Sequence, residues 1–290
     1  MAQADPIFHV GTGEVEWIDP QPGFELAPLT LSVPGHFQDE KLRAAGIEPA
    51  LFGDVVDPSF FIGLGIQAGI RNGISAEGGV NMVQRLVQKR PVRLGEVLTV
   101  RGRIERVREV PRGQTVDTSV TFEDVSGAVV IDASRTSLRP APNQGARRGA
   151  GERPPPVVPD PALVRVLGEH QLTPERVKRY SMEGNSIHYD EEAARRAGFR
   201  APMIGGGMGV HFLTALVWSR GAPQALELSI YFRRPIFWDE RFTSGVLGDA
   251  EDRSSWKGLC LLRDEGDAGL KVLTEASINA VVLQPDPEVT

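Results

Sequence analysis

Cysteine is nearly absent from this chain: Cys260 is the only one in 290 residues. A single thiol excludes an intrachain disulfide and any cysteine-based metal cluster. Long apolar runs are also missing, and nothing approaches the roughly 18 uninterrupted residues of a membrane helix. The first residues, Met1 to Pro6, contain no basic region leading into an apolar stretch, so no secretory signal is expected. Positive charge is in deficit as well. The 32 Lys and Arg face 38 Asp and Glu, a formal net charge of −6. A general nucleic-acid binder needs a basic surface to displace counterions, so that class is excluded. An anionic small ligand is not, because a local cluster of arginines suffices for it. With 41% hydrophobic and 24% charged residues, the expectation is a soluble cytoplasmic protein with no membrane span.

Proline and glycine, by contrast, are concentrated in one place. Residues 139–161 combine Pro, Gly and Ala with scattered Arg, a composition that cannot bury enough apolar surface to fold alone. This linker separates an N-terminal unit, residues 1–138, from a C-terminal unit, residues 162–290. The units repeat one another. Gln38 to Ile47 reads like Tyr189 to Phe199, and Arg90-Pro91 to Thr99 matches Arg234-Pro235 to Thr243 at a constant offset of 144. Each unit has an amphipathic helix, then a longer apolar segment with the look of a buried helix (Pro58 to Ile70; Gly206 to Trp218). Alternating, β-branched stretches follow. In the first unit they are Val97–Val107, Thr115–Glu123 and Ala128–Leu138. In the second they are Leu226–Phe232, Glu240–Leu247, Ser255–Arg263 and Gly269–Val282. Turn chemistry stands at Asp124–Gly127 and Asp264–Asp267. The fold class is α+β, a long central helix wrapped by an antiparallel sheet, twice. Joining the two sheets would pair apolar strand edges that otherwise stay exposed.

The chemistry is concentrated in Tyr180 to Gly207. Glu183, Asn185 and His188 share one polar loop, and a carboxylate beside an imidazole can move protons. A short helical run, Asp190 to Ala197, is closed by Gly198. Gly205, Gly206 and Gly207 then open the long apolar helix, offering bare N–H groups to an oxygen that gains negative charge. His188, Asp190 and Glu191 fit no standard zinc spacing, so no metal is expected. His9, His36, His170 and His211 lack such a setting and read as structural.

This stretch resembles the signature of the MaoC-like, (R)-specific enoyl-CoA hydratases. Ser181, Asn185, Ile187, His188, Asp190, Ala193, Gly198, Phe199, Pro202 and Gly206 fall on that pattern without a gap. Met182, Glu183, Ser186 and Gly205 depart from it, standing where the family has Gly, Asp, Pro and His. The resemblance implies a double hot-dog fold, a homodimer, no metal or redox cofactor, and coenzyme A only as part of an acyl-CoA thioester substrate. It implies Glu183 and His188 as the pair that activates water, Asn185 as a catalytic-loop residue, and the Gly206 N–H as oxyanion donor between Gly205 and Gly207. Arg233 and Arg234 are the candidate contacts for coenzyme A phosphates. Glutamate is one methylene longer than aspartate, ~1.5 Å, so either the loop, with Met182 and Ser186 also changed, is adjusted to it, or the site is slow or altered.

The first unit reads Leu31-Ser32-Val33-Pro34-Gly35-His36 where the second has its acid and histidine, and only Gly53, followed by Asp54, stands for the glycine run. It is expected to shape the acyl pocket rather than catalyse. The reaction expected is reversible hydration of an enoyl thioester to the (R)-3-hydroxyacyl product. Two alternatives remain: a thioesterase on the same fold, and an acyl-CoA-binding subunit without turnover.

Overall fold

The computed structural model describes residues 7–9, 15–141, 154–181 and 184–283. In chain order the first unit contains β1 (Glu25–Leu31), α1 (Gly35–Ala45), α2 (Phe60–Arg71), β2 (Val80–Gln88), β3 (Leu98–Val110), β4 (Gly113–Glu123), β5 (Val129–Asp132) and β6 (Arg135–Pro140). The second contains β7 (Arg165–Gln171), α3 (Pro174–Ser181), α4 (Glu191–Arg196), α5 (Gly206–Trp218), β8 (Pro223–Phe232), β9 (Arg241–Leu247), β10 (Gly258–Asp264) and β11 (Leu270–Leu283).

All the strands form one 11-stranded sheet, ordered β1-β3-β4-β5-β2-β8-β11-β10-β9-β7, with β6 pairing β2 and β4 off that path. The halves meet where β2 runs antiparallel to β8, from Val83 opposite Tyr231 to Gln88 opposite Leu226. This central seam removes the two edges that would otherwise be most exposed to pairing with another chain. The sheet wraps α2 and α5, whose apolar faces feed one core shared by both halves. Phe61 packs on Phe122 with ring centroids 4.8 Å apart, and Phe212 on Phe242 at 5.0 Å. Helix α5 is apolar nearly all round and is buried along almost its whole length, as such a helix must be.

The duplication holds in the backbone. Val56 N–H donates to the Val92 carbonyl and Leu94 N–H to the Asp54 carbonyl; equivalently, Ile204 N–H donates to Ile236 and Trp238 N–H to Pro202. These pairs place Val92 and Leu94 on Ile236 and Trp238 at the offset of 144 seen in the sequence. The likeness of Gln38–Ile47 to Tyr189–Phe199 is different. By chain order α1 corresponds to α3, each being the first helix after the opening strand, and the two pack together. The similarity to α4 reflects shared helix chemistry rather than equivalent position. His36 accordingly falls in the first turn of α1. The stretch Ala128–Leu138 is two strands, because the chain turns at Ala133–Ser134, where Asp132 Oδ1 accepts from the Ser134 N–H and hydroxyl.

Candidate active site

Helix α5 begins at Gly206 behind an extended Gly205 (φ −65°, ψ 151°), with no side chain capping it. The first intrahelical bond runs from Gly209 N–H to the Gly205 carbonyl, so the N–H groups of residues 206–208 have no acceptor within the helix. Gly206 is confined. A Cβ there would stand 2.8 Å from Phe232 Cζ and 3.4 Å from Asn81 Nδ2. Gly206→Ala is therefore expected to destabilise the fold by about 1–3 kcal/mol, the usual range for overpacking, and to displace the helix end from the cavity. Urea unfolding together with a rate assay on the variant checks both effects.

His188 faces this helix end. It sits in a 3-10 turn, Ser186–His188, whose Ile187 is buried in a small cluster with Met203 and Phe237. That plug fixes the turn, and Met203 N–H donates to the Ile187 carbonyl. His188 Nδ1 donates to the Met203 carbonyl at 2.8 Å, which assigns the Nδ1–H tautomer and leaves a lone pair on Nε2. Nε2 lies 3.5 Å from where a Cβ on Gly205 would stand. Burial pushes the imidazole pKa down, opposed by the Met203 hydrogen bond and the Glu77 charge. A neutral base thus faces unfilled N–H donors across a cavity of about 640 Å³ that both halves line.

The loop before His188 is held by the other half of the chain. Asn185 accepts from Gly78 N–H at 3.1 Å and donates to the Gly79 carbonyl at 3.0 Å. Both ends of its amide are thereby satisfied, which makes it a positioning group for the loop. Ser186 N–H donates to Glu77 at 3.0 Å, and its hydroxyl donates to the same carboxylate. A proline at 186 could do neither. Downstream, Asp190 caps α4 by accepting from Ala193 N–H at 2.7 Å, and Gly198 ends it with φ +86°. Glu183 and Met182 lie outside the described residues.

No family model matches the chain. Over 165 residues, 56% of its length, it is 29% identical to 3-hydroxyacyl-thioester dehydratase X of Mycobacterium tuberculosis. The aligned part spans only 57% of that relative. The crystal structure of HtdX from the same organism superposes with a TM-score of 0.66 at 20% identity, covering 86% of this chain and 98% of that one. A MaoC-like dehydratase from Phytophthora capsici gives 0.61 at 16% identity over 92% and 97%. A further M. tuberculosis protein, described as a double hotdog, gives 0.60 at 12% identity over 89% and 95%. The chain has the double hot-dog fold of the MaoC-like dehydratases.

In this double hot dog the two helix starts are not equivalent chemically. The matched backbone pairs put Val56 at Ile204, so Asp57-Pro58-Ser59 stands where the second half has Gly205-Gly206-Gly207. The sequence reading, which placed Gly53-Asp54 against the glycine run, is shifted by this finding. Pro58 has no N–H to offer at the place of Gly206.

Asp57 has another partner. Its Oδ2 accepts from His211 Nδ1 at 2.6 Å, and its Oδ1 from the Ser59 hydroxyl at 2.8 Å. His211 Nε2 in turn accepts from the Tyr180 hydroxyl at 2.6 Å. Asp57, Ser59 and His211 are fully buried, and this chain of bonds ties the loop before α2 to α5 and α3. The Tyr180 oxygen comes out beside the start of α5, 3.8 Å from where a Cβ on Gly207 would stand. Sequence reasoning missed this network, because Asp57 and His211 are 154 residues apart.

The two arginines divide. Arg233 donates from Nε to Glu275 at 2.6 Å, and from its two terminal nitrogens to the carbonyls of Pro154 at 3.0 Å and Pro155 at 2.9 Å. These bonds staple the last part of the linker onto the sheet and take up the donors expected for a phosphate. Arg234 lines the cavity, using one nitrogen on the Val272 carbonyl at 2.8 Å, and it keeps donors for an anion. Among the described residues no cluster of three His, Cys, Asp or Glu could hold a metal ion, and no helix is long and apolar enough to cross a membrane.

Proposed function

We propose that the protein catalyses the reversible hydration of an enoyl thioester, equivalently the dehydration of a 3-hydroxyacyl thioester. The observation that carries this reading is the unprotonated His188 Nε2 facing the open N–H groups at the start of α5 within one large cavity. The thioester oxygen binds at the Gly206 N–H, reinforced by the helix dipole. Withdrawal of electrons toward that oxygen makes C3 electrophilic. His188, working with Glu183, takes a proton from water as the water attacks C3, and C2 of the resulting enolate is protonated on the same face, giving the (R) product. Tyr180, His211 and Asp57 hold the helix start in position. Arg234 is the candidate contact for a coenzyme A phosphate. The named activity of the mycobacterial dehydratase agrees with this scheme. That the N-terminal half shapes the acyl cavity without catalysing is supported by Pro58 at the donor position.

The test is loss of the conjugated enoyl-thioester absorbance with crotonyl-CoA, alongside Glu183→Ala and Glu183→Asp. Turnover by the wild type, lost in the Ala variant and partly kept in the Asp variant, is expected. Free-thiol release in its place would mean a thioesterase. Silence with all enoyl-CoAs that bind would mean a binding subunit.

A further inference from the structure

We propose that the N-terminal half of the cavity binds a carboxylate carried on the acyl chain, through the guanidinium of Arg135, so that the substrates are carboxyacyl thioesters. This rests on the acyl-thioester reading above and adds the identity of the acyl group.

The place of Arg135 follows from strand register. Asn81 of β2, which packs against Gly206, lies opposite Ser137 of β6. Arg135 is two residues back along β6, about 7 Å away on the same face, and opposite Thr118 of β4. One terminal nitrogen lies 3.7 Å from where a Cβ on Gly69 of α2 would stand. The guanidinium is thus between helix and sheet, a few carbon–carbon bonds beyond the thioester site, among the cavity-lining side chains.

Its other terminal nitrogen, Nη1, is fully buried and has no hydrogen-bond partner. Several other arginines of the first half have acids: Arg85 has Asp132, Arg90 has Glu96 and Asp124, Arg101 has Glu123, and Arg106 has Asp117. Arg135 has none among the described residues. Burial alone acts on it, pushing its pKa down to about 10. Thr115 Oγ1, on the neighbouring strand, and Arg139 Nη1, further along β6, also line the cavity and are further buried polar atoms without a partner. A cavity for a plain alkyl chain has no use for any of these groups. An arginine cannot shed its proton to escape the cost of burial, so an unpaired one destabilises the protein until an anion enters. Its planar fork fits a carboxylate.

The experiment is calorimetric binding of saturated, unreactive ligands: glutaryl-CoA and adipyl-CoA against valeryl-CoA, hexanoyl-CoA and free coenzyme A. Wild type, Arg135→Met and Arg135→Lys are compared. We expect at least one dicarboxylic thioester to bind about 10- to 100-fold tighter than its monocarboxylic counterpart, the effect of a charge-assisted hydrogen bond. Arg135→Met should abolish that preference while leaving free coenzyme A unchanged, and should unfold at a higher temperature than the wild type without ligand, which also shows that it folds. Equal weakening of every ligand in Arg135→Met, free coenzyme A included, would mean that Arg135 reads the coenzyme and would overturn the proposal. So would tighter binding of the monocarboxylic thioesters by the wild type. Preference without enoyl turnover would leave this inference standing and remove the hydratase reading; turnover without preference would do the reverse.

Discussion

His188→Gln lowers the rate of enoyl-thioester hydration by about a hundredfold to ten-thousandfold, the span usual for losing a positioned general base, with a much smaller change in the affinity for a saturated acyl thioester. The turn keeps its other ties, Met203 N–H to the Ile187 carbonyl and Ser186 N–H to Glu77, while the lone pair at Nε2 is lost. The pH profile carries a second signature. Burial disfavours the imidazolium, so His188 is neutral at pH values where an exposed histidine is already half protonated. The acid limb of the rate profile should therefore fall below the ordinary histidine value of about 6.5. Glu77 pulls the other way, and Glu77→Gln should move that limb lower still. The sign for stability follows from the same shift. A histidine with a depressed folded pKa contributes nothing adverse above its unfolded value. It weakens the fold as pH drops below that value, because the unfolded chain then binds the proton first. Steady-state rates across pH 4–8, at ~0.5-unit steps around the reference value, check the limb. A limb at or above 6.5 in the wild type would contradict the assignment.

Asp57→Ala carries the largest expected effect on stability, a loss of about 3–5 kcal/mol, because three buried donors, the Ser59 N–H, the Ser59 hydroxyl and His211 Nδ1–H, lose Asp57 as acceptor and only the Ser59 oxygen remains beside Nδ1. Asp57→Asn should cost less, since an amide oxygen can still accept. The denaturant midpoint reads both. The network also ends at Tyr180 beside the start of α5, so Tyr180→Phe should leave stability nearly unchanged and lower turnover. A midpoint for Asp57→Ala within about 0.5 kcal/mol of the wild type, the level of an ordinary surface change, would remove the network from the fold's supports.

Sequence reached the parts of this protein whose signals are local. Helix α5 occupies Gly206–Trp218, the span that its glycines and unbroken apolar run mark out. The α4 cap at Asp190 and its stop at Gly198 are where their side-chain chemistry puts them. Strands β1, β2 and β7 and helix α3 escaped notice for physical reasons. β1 carries a proline, β7 is mostly exposed, and β2, at the centre of the sheet, buries Gln84 and Gln88 in place of apolar side chains. Helix α3 is strongly polar and buries little beyond Val177 and Ser181. The site shows the same division. His188 and the glycine run were legible because they are neighbours in one motif. Glu77, Asp57 and Arg135 were not, because each meets its surroundings more than a hundred residues away or, for Arg135, only across the sheet. Arg233 misled because a free guanidinium and one clamped on prolyl carbonyls look alike in a sequence.

The proline at position 58 bears on how evenly the two copies could share the proposed work. A doubled fold with matching helix starts would present two oxyanion sites per chain, and a change in either could be covered by the other. Here the ring closes off one of them for good, since nothing done to its neighbours can give that nitrogen a hydrogen. On the hydratase reading proposed above, the molecule is symmetrical in build and single-handed in use. On that reading Gly206 has no substitute, and the first copy is at liberty to vary its interior, where the Arg135 guanidinium sits.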